Sequence, residues 1–363
     1  MRKKILMLSV FLMVIVFING VYVYAGEVSS NKRPVNIILF IGDGMGPAQV
    51  SAAIAVNDNT LVVEKFKYAG YCKTSSYDRY VTDSAAAATA IACGVKTRNG
   101  MIGMGPDSTA VMSILEIAKK NGLATGVVST SAVTHATPAG FVSHNSGRGN
   151  YEDIALDFLK GTADVFIGGG SNHFVKRKDG KDLSADLKKM GYDVVFTLED
   201  LMKSNSMKIA GLLDNEHMAK STEGRFGMLE AMTMKAIETL SKNKKGFILM
   251  VEGSQIDFAG HDNNLNWNVS EVLDMDRAVA KAYEFAEKSG NTLVIVTADH
   301  ETGGLALTGG DLKQKSVSGV YASTGHTAVM VPVFSHGPGA EKFTGIIDNT
   351  DFFPKFKELL RIK

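Results

Sequence analysis

The sequence predicts an α/β protein of the three-layer α/β/α type, in which helices cover both faces of a large, mostly parallel central sheet. Two observations support this class. Short apolar or β-branched runs recur along the chain, and stretches with helical periodicity lie between several of them. Because alternating strands and helices build parallel sheets with helical crossovers, the pattern favours a sheet that is covered on both sides.

Seven short apolar runs are predicted to be mostly buried strands. They occupy residues 35–40, 126–130, 164–167, 193–196, 246–251, 292–297 and 329–334. Four stretches have apolar residues three and four positions apart, which predicts helices. They occupy residues 108–120, 152–159, 228–240 and 271–288. The sequence has no linker-like stretch and no internal repeat, so residues 26–363 are expected to form one domain.

The N-terminus has the layout of a secretory signal peptide. A basic start at residues 1–4 precedes an apolar run at residues 5–18, and small residues follow up to Ala25. We expect a signal peptide at residues 1–25, export to the periplasm or the cell exterior, and no stable membrane anchor after cleavage. The alternative is a retained N-terminal anchor, although the apolar run is near the short end of a membrane span.

The charge balance gives little information about partners. The 39 basic and 38 acidic residues leave a formal net charge of +1. This composition provides no basic surface that indicates nucleic-acid binding and no acidic excess that indicates a disordered tail. The partner is therefore expected to be a small molecule bound at a defined site.

Only two cysteines occur, Cys72 and Cys93. In an exported chain they could form one disulfide or remain two small buried residues, and the sequence does not decide between these states. We favour buried thiols.

Three carboxylates follow predicted strands. Asp43 follows the first strand, Glu252 follows the strand at 246–251, and Asp299 follows the strand at 292–297. Functional groups of open α/β sheets gather at the carboxyl ends of strands. The glycine-rich run at 41–47 does not fit a dinucleotide-binding turn, because its third glycine position is Pro47. Exposed carboxylates at strand ends suit a divalent metal ion.

A serine precedes a run of small helix-forming residues at 81–89 (VTDSAAAAT). The pattern places Ser84 at or near a helix N-terminus, where free backbone N–H groups favour an anion such as phosphate. The alternative is that Ser84 only caps the helix.

Aspartate and histidine residues in the C-terminal half have the spacing of metal ligands. Asp257 and His261 are four apart, so both side chains can hold one ion from a single helical turn. Asp299 and His300 are adjacent, and His326 completes a set of ligands that suits Zn²⁺. The remaining histidines have no such pattern and are expected to be surface or core residues: His144, His173, His217 and His336.

Together these segments resemble the alkaline phosphatase family, in the order in which that family carries them. Besides the run around Ser84, they are 42–46 (GDGMG), 134–138 (THATP), Arg148, 251–257 (VEGSQID) with His261, 297–304 (TADHETGG) and 324–327 (TGHT). The resemblance spans Asp43 to His326 and implies a compact bacterial member with one catalytic domain. It implies hydrolysis of small phosphate monoesters at alkaline pH, through a covalent phosphoserine at Ser84.

The resemblance also implies three metal sites, with two Zn²⁺ and one Mg²⁺. Asp257, His261 and His326 would hold the first zinc. The ligands of the second zinc would be Asp43, Asp299 and His300. Asp43 would bridge to the third site, where the family usually keeps Mg²⁺; its other ligands would be Thr137, Glu252 and His135.

Two positions differ from the pattern of many bacterial members. His135 stands where those members carry aspartate, and imidazole suits Zn²⁺ or Co²⁺ better than hydrated Mg²⁺, so the identity of the third ion stays open. Phe258 stands where they carry lysine, which removes a cation near the phosphate. The resemblance further implies that Arg148 binds two phosphate oxygens, that Asp83 orients its guanidinium, and that the protein is a homodimer.

Other functions fit the sequence less well. A sulfatase would need a modifiable cysteine or serine followed by x-Pro-x-Arg, and neither Cys72 nor Cys93 has that proline. Phosphodiesterases of the same superfamily generally use threonine as the nucleophile. An exported phosphate- or metal-binding protein without turnover would leave no role for Ser84.

Overall fold

The structure is a computed structural model that describes residues 33–363 of the chain. The predicted signal peptide at residues 1–25 lies outside the described residues. Within residues 33–363, none of the helices combines the length and apolar character that a membrane span requires.

The described residues form fourteen strands. In chain order they are β1 (Asn36–Gly42), β2 (Tyr68–Lys73), β3 (Ala124–Ala132), β4 (Val165–Gly169), β5 (Asp193–Val195), β6 (Ile209–Leu212), β7 (Phe247–Gly253), β8 (Thr292–Thr297), β9 (Glu301–Thr302), β10 (Leu305–Asp311), β11 (Ser316–Tyr321), β12 (His326–Thr327), β13 (Val331–His336) and β14 (Gly345–Asp348).

Ten of these strands form one central sheet, in the order β14-β2-β13-β8-β1-β7-β3-β4-β6-β5. Strand β13 runs antiparallel to its neighbours β2 and β8, and the other pairs of this sheet are parallel. Two small antiparallel pairs, β10 with β11 and β9 with β12, lie outside it. The large, mostly parallel sheet confirms the predicted fold class.

Twelve α-helices connect or flank the strands in the described part of the chain. They are α1 (Pro47–Val56), α2 (Ser84–Cys93), α3 (Ile114–Lys120), α4 (Ala136–Ala139), α5 (Tyr151–Phe158), α6 (Asn172–Val175), α7 (Leu183–Lys189), α8 (Leu198–Lys203), α9 (Met228–Leu240), α10 (Gln255–His261), α11 (Leu265–Ser289) and α12 (Phe352–Leu360).

One group of packed helices and strands is built around helix α11. It contacts helices α1, α9 and α10 and the central strands β1, β7 and β8. Its buried residues Val272, Met275, Val279, Ala282 and Ala286 recur every three or four positions, which is the spacing of one helical face. A second group joins α3 to α2 and α12 and to strands β3 and β7. The sheet and its helices therefore share one apolar core.

The sequence predicted the long elements better than the short ones. The predicted helix at 108–120 begins only at Ile114, because Ser113 caps it in a capping box with Glu116. Strands β2, β6 and β14 of the central sheet were not predicted. Strand β2 alternates between part-exposed and exposed residues up to Cys72, and β6 and β14 have four residues each. Strand β2 lacks the continuous apolar run of a buried strand, and a run of only four residues is a weak signal for a strand.

Candidate active site

Three carboxylates meet at the ends of three neighbouring strands. Strand β1 lies between β8 and β7 in the sheet. Asp43 directly follows β1, Glu252 is the second-to-last residue of β7, and Asp299 lies two residues beyond β8. Each is at most 1% exposed. The structure therefore places these side chains together at one edge of the sheet, as predicted.

Ser84 is the first residue of helix α2, and its side chain is fully buried. The helix cap is the preceding residue, since the Asp83 carboxylate accepts a hydrogen bond from the Ala86 N–H at 3.0 Å. The alternative in which Ser84 serves as the cap is thus wrong. Ser84 Oγ instead lies 3.2 Å from His300 Nε2 and 3.5 Å from Asp43 Oδ1.

The first candidate cation group consists of Asp257, His261 and His326. His261 Nδ1 lies 2.5 Å from the carbonyl oxygen of Thr324, and His326 Nδ1 lies 2.9 Å from that of Thr82. Because a carbonyl oxygen only accepts, both Nδ1 atoms carry hydrogen and leave the Nε2 lone pairs free. The two Nε2 atoms lie 3.2 Å apart, and 3.3 and 3.4 Å from Asp257 Oδ1.

A divalent cation fits this first group better than protons do. The hydrogen bond with Asp257 raises the pKa of His261 to about 9. The pKa of His326 is raised as well, because the same carboxylate outweighs the opposing effect of burial. However, two Nε2–H groups cannot face each other across 3.2 Å. An ion bound by two imidazoles and one carboxylate removes this conflict, and such a ligand set is typical of Zn²⁺.

The second candidate group consists of Asp43, Asp299 and His300. Asp299 Oδ1 accepts hydrogen bonds from the backbone N–H groups of Gly44 at 3.1 Å and His300 at 2.9 Å, and buried Oδ2 accepts none. His300 Nε2 lies 3.1 Å from Asp299 Oδ2 and 3.4 Å from Asp43 Oδ1. Burial lowers the pKa of His300 well below its ordinary value, so the ring is neutral and can act as a ligand.

The third candidate group contains Asp43, Glu252 and His135. Thr137 Oγ1 donates a hydrogen bond to Asp43 Oδ2 at 3.2 Å. Glu252 Oε2 accepts from the Ser129 hydroxyl at 2.6 Å, whereas Glu252 Oε1 and His135 Nδ1 are buried without a hydrogen-bond partner. A buried carboxylate oxygen without a partner is costly, and a cation would satisfy Glu252 Oε1.

The electrostatics of the carboxylates also favour bound cations. Burial raises the pKa of Asp43 well above its ordinary value, and the charges of Asp299 and Asp257 raise it further. Burial raises the pKa of Asp299 to about 7, with a further contribution from Asp257. A divalent cation offsets both the loss of hydration and the mutual repulsion of these groups.

Arg148 lies beside the start of helix α2. Its Nη1 lies 3.0 Å from Asp83 Oδ2, which also accepts the Gly100 N–H at 2.9 Å. Its Nη2 lies 3.3 Å from His135 Nε2. Burial, together with the charge of Arg148, lowers the pKa of His135 to about 3, so this imidazole stays neutral. The predicted contact between Asp83 and the guanidinium is present.

Sequence reasoning missed three residues that contact the predicted ones. Ser129 holds Glu252, and the Thr302 hydroxyl donates to Asp257. The ring of His217 lies edge-on to that of His135, with 5.3 Å between centroids. Ser129 lies in the predicted strand at 126–130 and Thr302 lies within the segment 297–304, so both have a usable local signal. His217 has no local signal, because the connection between β6 and α9 brings it to the site.

The candidate cation groups among the described residues contain no cysteine. Cys72 and Cys93 are both free and buried, as favoured from the sequence. Burial raises the pKa of the Cys72 thiol to about 12 and also raises that of Cys93, so both are expected to be unreactive.

Comparison with known proteins relates this geometry to one family. The family model for alkaline phosphatase matches residues 34–320. Alkaline phosphatase 4 of Bacillus subtilis is 35% identical over 87% of this chain and 86% of its own length. The alkaline phosphatase of Escherichia coli is 35% identical over 92% of this chain and 88% of its own.

A solved structure is similar over nearly the whole described chain. It is a histidine-to-aspartate mutant of the alkaline phosphatase from the Antarctic bacterium TAB5, with magnesium bound in its M3 site. It is 43% identical, with a TM-score of 0.87, and covers 92% of this chain and 99% of its own.

Proposed function

Because this chain belongs to the alkaline phosphatase family and is a phosphomonoester hydrolase with metal-binding residue groups, we propose that its turnover runs through a covalent phosphoserine at Ser84. One observation carries the proposal. The hydroxyl of Ser84 is fully buried at the start of α2 and lies against His300 and Asp43, at the edge of the second cation group. A structural serine in a helix would have no reason to face a carboxylate and an imidazole there.

The reaction then has two displacements. Ser84 Oγ forms a bond to phosphorus as the ester's alcohol leaves with a proton, and a water molecule then cleaves the phosphoserine to give inorganic phosphate and the free hydroxyl. Arg148 binds two non-bridging phosphate oxygens through its planar guanidinium, which Asp83 holds in place. The free N–H groups at the start of α2 favour the binding of the same anion.

We propose that each of these residue groups binds one cation. Two Zn²⁺ would be held by the first group, Asp257, His261 and His326, and by the second group, Asp43, Asp299 and His300. When bound, they supply Lewis acidity that lowers the pKa of a serine hydroxyl or a water and stabilises negative charge on phosphate and alcohol oxygens.

A third ion is proposed for Asp43, Thr137, Glu252 and His135, with Mg²⁺ as the family's usual ion. His135 makes this site less selective for Mg²⁺ than a carboxylate would, since imidazole favours Zn²⁺ and Co²⁺. The TAB5 mutant, in which aspartate replaces a histidine and magnesium is bound in the M3 site, supports this view.

We also propose export and a homodimer. Export follows from the signal-peptide layout of residues 1–25. A surface suited to a second copy is formed by exposed apolar side chains on and beside the sheet edge that includes β14 and β2. They are Tyr71, Tyr77, Tyr80, Met330 and Ile346. Light scattering of the purified protein would test the homodimer, and a monomer at micromolar concentration would contradict it.

The covalent mechanism is tested with p-nitrophenyl phosphate and the diester bis(p-nitrophenyl) phosphate. The wild-type protein should hydrolyse the monoester preferentially, lose activity with a chelator, and yield labelled Ser84 after acid quench with ³²P-labelled substrate. Ser84→Ala should lose at least about a thousandfold in kcat while retaining its metal ions. Label on another residue, or near-normal turnover by Ser84→Ala, would contradict the proposal.

A further inference from the structure

Thr302 lies where the first and second cation groups meet. It is fully buried in strand β9. Its hydroxyl contacts Asp257 Oδ1 and also lies 3.3 Å from His300 Nδ1. An ionised carboxylate only accepts, so the single hydroxyl hydrogen goes to Asp257. His300 Nδ1 must then donate the hydrogen in its contact with Thr302 Oγ1. This single oxygen atom therefore connects Asp257 of the first group with His300 of the second group.

This link determines which nitrogen of His300 can bind a cation. With hydrogen on Nδ1, the lone pair is on Nε2, which lies 3.1 Å from Asp299 Oδ2 and 3.4 Å from Asp43 Oδ1. The same hydroxyl fixes the rotation of the Asp257 carboxylate. Partners of this kind orient metal ligands and set the tautomer of a ligating histidine.

The backbone of Thr302 contacts two further segments, which carry the candidate ligands Asp43 and His326. Its N–H donates to the Gly44 carbonyl oxygen at 3.1 Å, next to Asp43 in the chain. Within the short ladder of β9 and β12, Thr302 pairs with His326. The residue therefore joins the segments that carry Asp43 and His326 as well as bonding Asp257 and His300.

Two glycines from different motifs make room for this side chain. A Cβ atom at Gly44 would lie 2.8 Å from Thr302 Oγ1, and one at Gly260 would lie 2.9 Å from Thr302 Cβ. Contacts this short do not occur with real side chains. The close packing holds the Thr302 hydroxyl in place. No neighbouring polar group can therefore take over its hydrogen bonds by a small shift.

We propose that Thr302 is a positioning residue that couples the two zinc groups. A cation bound by Asp257, His261 and His326 holds Asp257 in the orientation that Thr302 bonds, and Thr302 then holds His300 ready for the second cation. The inference rests on the two-zinc site of the proposed function. Coupling between sites is reciprocal, so either cation raises the affinity for the other by the same factor, typically about 5- to 150-fold.

The test is a titration of chelator-stripped protein with Co²⁺, followed by calorimetry and by the visible absorbance of bound cobalt. In the wild type, the first bound cobalt should raise affinity for the second by about tenfold. Thr302→Val keeps the side-chain shape but lacks the hydroxyl, so the two ions should bind independently. Thr302→Ser restores the hydroxyl and should restore the coupling, which a purely structural role would not require.

Thr327→Val is the matched control. Thr327 lies in the neighbouring rung of the same ladder, and its hydroxyl contacts Glu301 rather than a proposed cation ligand. This variant should keep the wild-type coupling factor. Equal loss in Thr327→Val would mean that loosening of the ladder, and not the Thr302 hydroxyl, is responsible, and would overturn the proposal.

Two other results would also overturn it: unchanged coupling in Thr302→Val, or independent binding of two cobalt ions by the wild type. If Thr302→Val does not fold, Thr302→Ala supplies the same comparison, and the wild-type titration still tests the inference. Wild-type protein that binds fewer than two cobalt ions would instead contradict the proposed two-zinc site.

Discussion

The carboxylate of Asp83 contacts both the start of helix α2, at Ser84, and the guanidinium of Arg148. One of its oxygens accepts the Ala86 N–H at 3.0 Å, and the other accepts from Arg148 Nη1 at 3.0 Å. The residue next to Ser84 therefore sets the start of α2 and the position of the guanidinium together.

This double role predicts the effect of Asp83→Asn. Asparagine keeps one oxygen for the helix cap but loses the charge-assisted bond to Arg148, which is typically worth about 1.5–3 kcal/mol. We expect KM and the inhibition constant of inorganic phosphate to rise about tenfold or more, because 1.4 kcal/mol corresponds to a factor of ten. Steady-state kinetics with p-nitrophenyl phosphate measure both constants.

Asp107→Asn is the control for this variant. Asp107 is an exposed carboxylate that accepts from Thr109 within its own loop. The substitution should leave both constants unchanged. Wild-type phosphate inhibition in Asp83→Asn would show that Arg148 does not depend on Asp83 for its position.

Much of the site was predictable because local patterns encode strand ends and helix starts. Asp43 and Asp299 follow apolar strands, and Ser84 precedes a run of alanines, so each element is visible in the sequence itself. Parallel strands bring their carboxyl ends to one edge of the sheet, which makes convergence a consequence of fold class. The roles of these residues rested on the family resemblance.

What was not predictable depends on contacts between distant segments. His217 reaches His135 through the connection after β6, and Thr302 bonds Asp257 across 45 residues. No spacing rule records such pairs. Strand β2 was missed for a related reason, because it is paired with β13 and β14 near one side of the sheet and is largely exposed.

Phe258→Lys is predicted to tighten the binding of product phosphate. The ring of Phe258 packs against His135 at a centroid distance of 5.8 Å, so position 258 borders the third cation group. A lysine there adds a positive charge close to the phosphate, directly or through water. We expect the inhibition constant of phosphate to fall several-fold and, if product release limits turnover, kcat to fall with it.

Competitive inhibition by phosphate measures the effect, and Phe258→Met serves as the uncharged control. Unchanged phosphate inhibition in the lysine variant would contradict the prediction. Equal tightening in the methionine variant would attribute the effect to ring removal and not to charge.

His135→Asp is predicted to convert the third group to a magnesium site. A carboxylate can hold the hydration shell of Mg²⁺, which an imidazole does less well. After equilibration with Mg²⁺ and removal of free ions, the variant should retain about one Mg²⁺ per chain that the wild type loses more readily. Metal analysis of both proteins measures this, and equal magnesium content would argue against a ligand role for His135.

Asp276 gives a prediction about stability and pH that is independent of the active site. Burial raises the pKa of Asp276 to about 6, opposed in part by the Val62 N–H, which donates to its Oδ1 at 2.9 Å. The folded state therefore binds a proton more tightly than the unfolded state. Above pH 6 the carboxylate is ionised in both states, and its burial destabilises the folded protein; as pH falls from 6 toward 4, this penalty disappears.

Asp276→Asn keeps an oxygen for the Val62 N–H and removes the charge. It should raise the free energy of unfolding at pH 8 by about 1–2 kcal/mol, below the full value of the pKa shift because the group is partly solvated. The gain should shrink as pH falls toward 4. Urea unfolding of wild type and variant at pH 8, 6.5 and 5 measures the difference, and any loss of metal ions affects both proteins alike.

Glu284→Gln removes an exposed carboxylate from the same helix, α11, and should change stability by less than about 0.5 kcal/mol at each pH. A gain in Asp276→Asn that is the same at pH 8 and pH 5 would show that ionisation of Asp276 is not its cause.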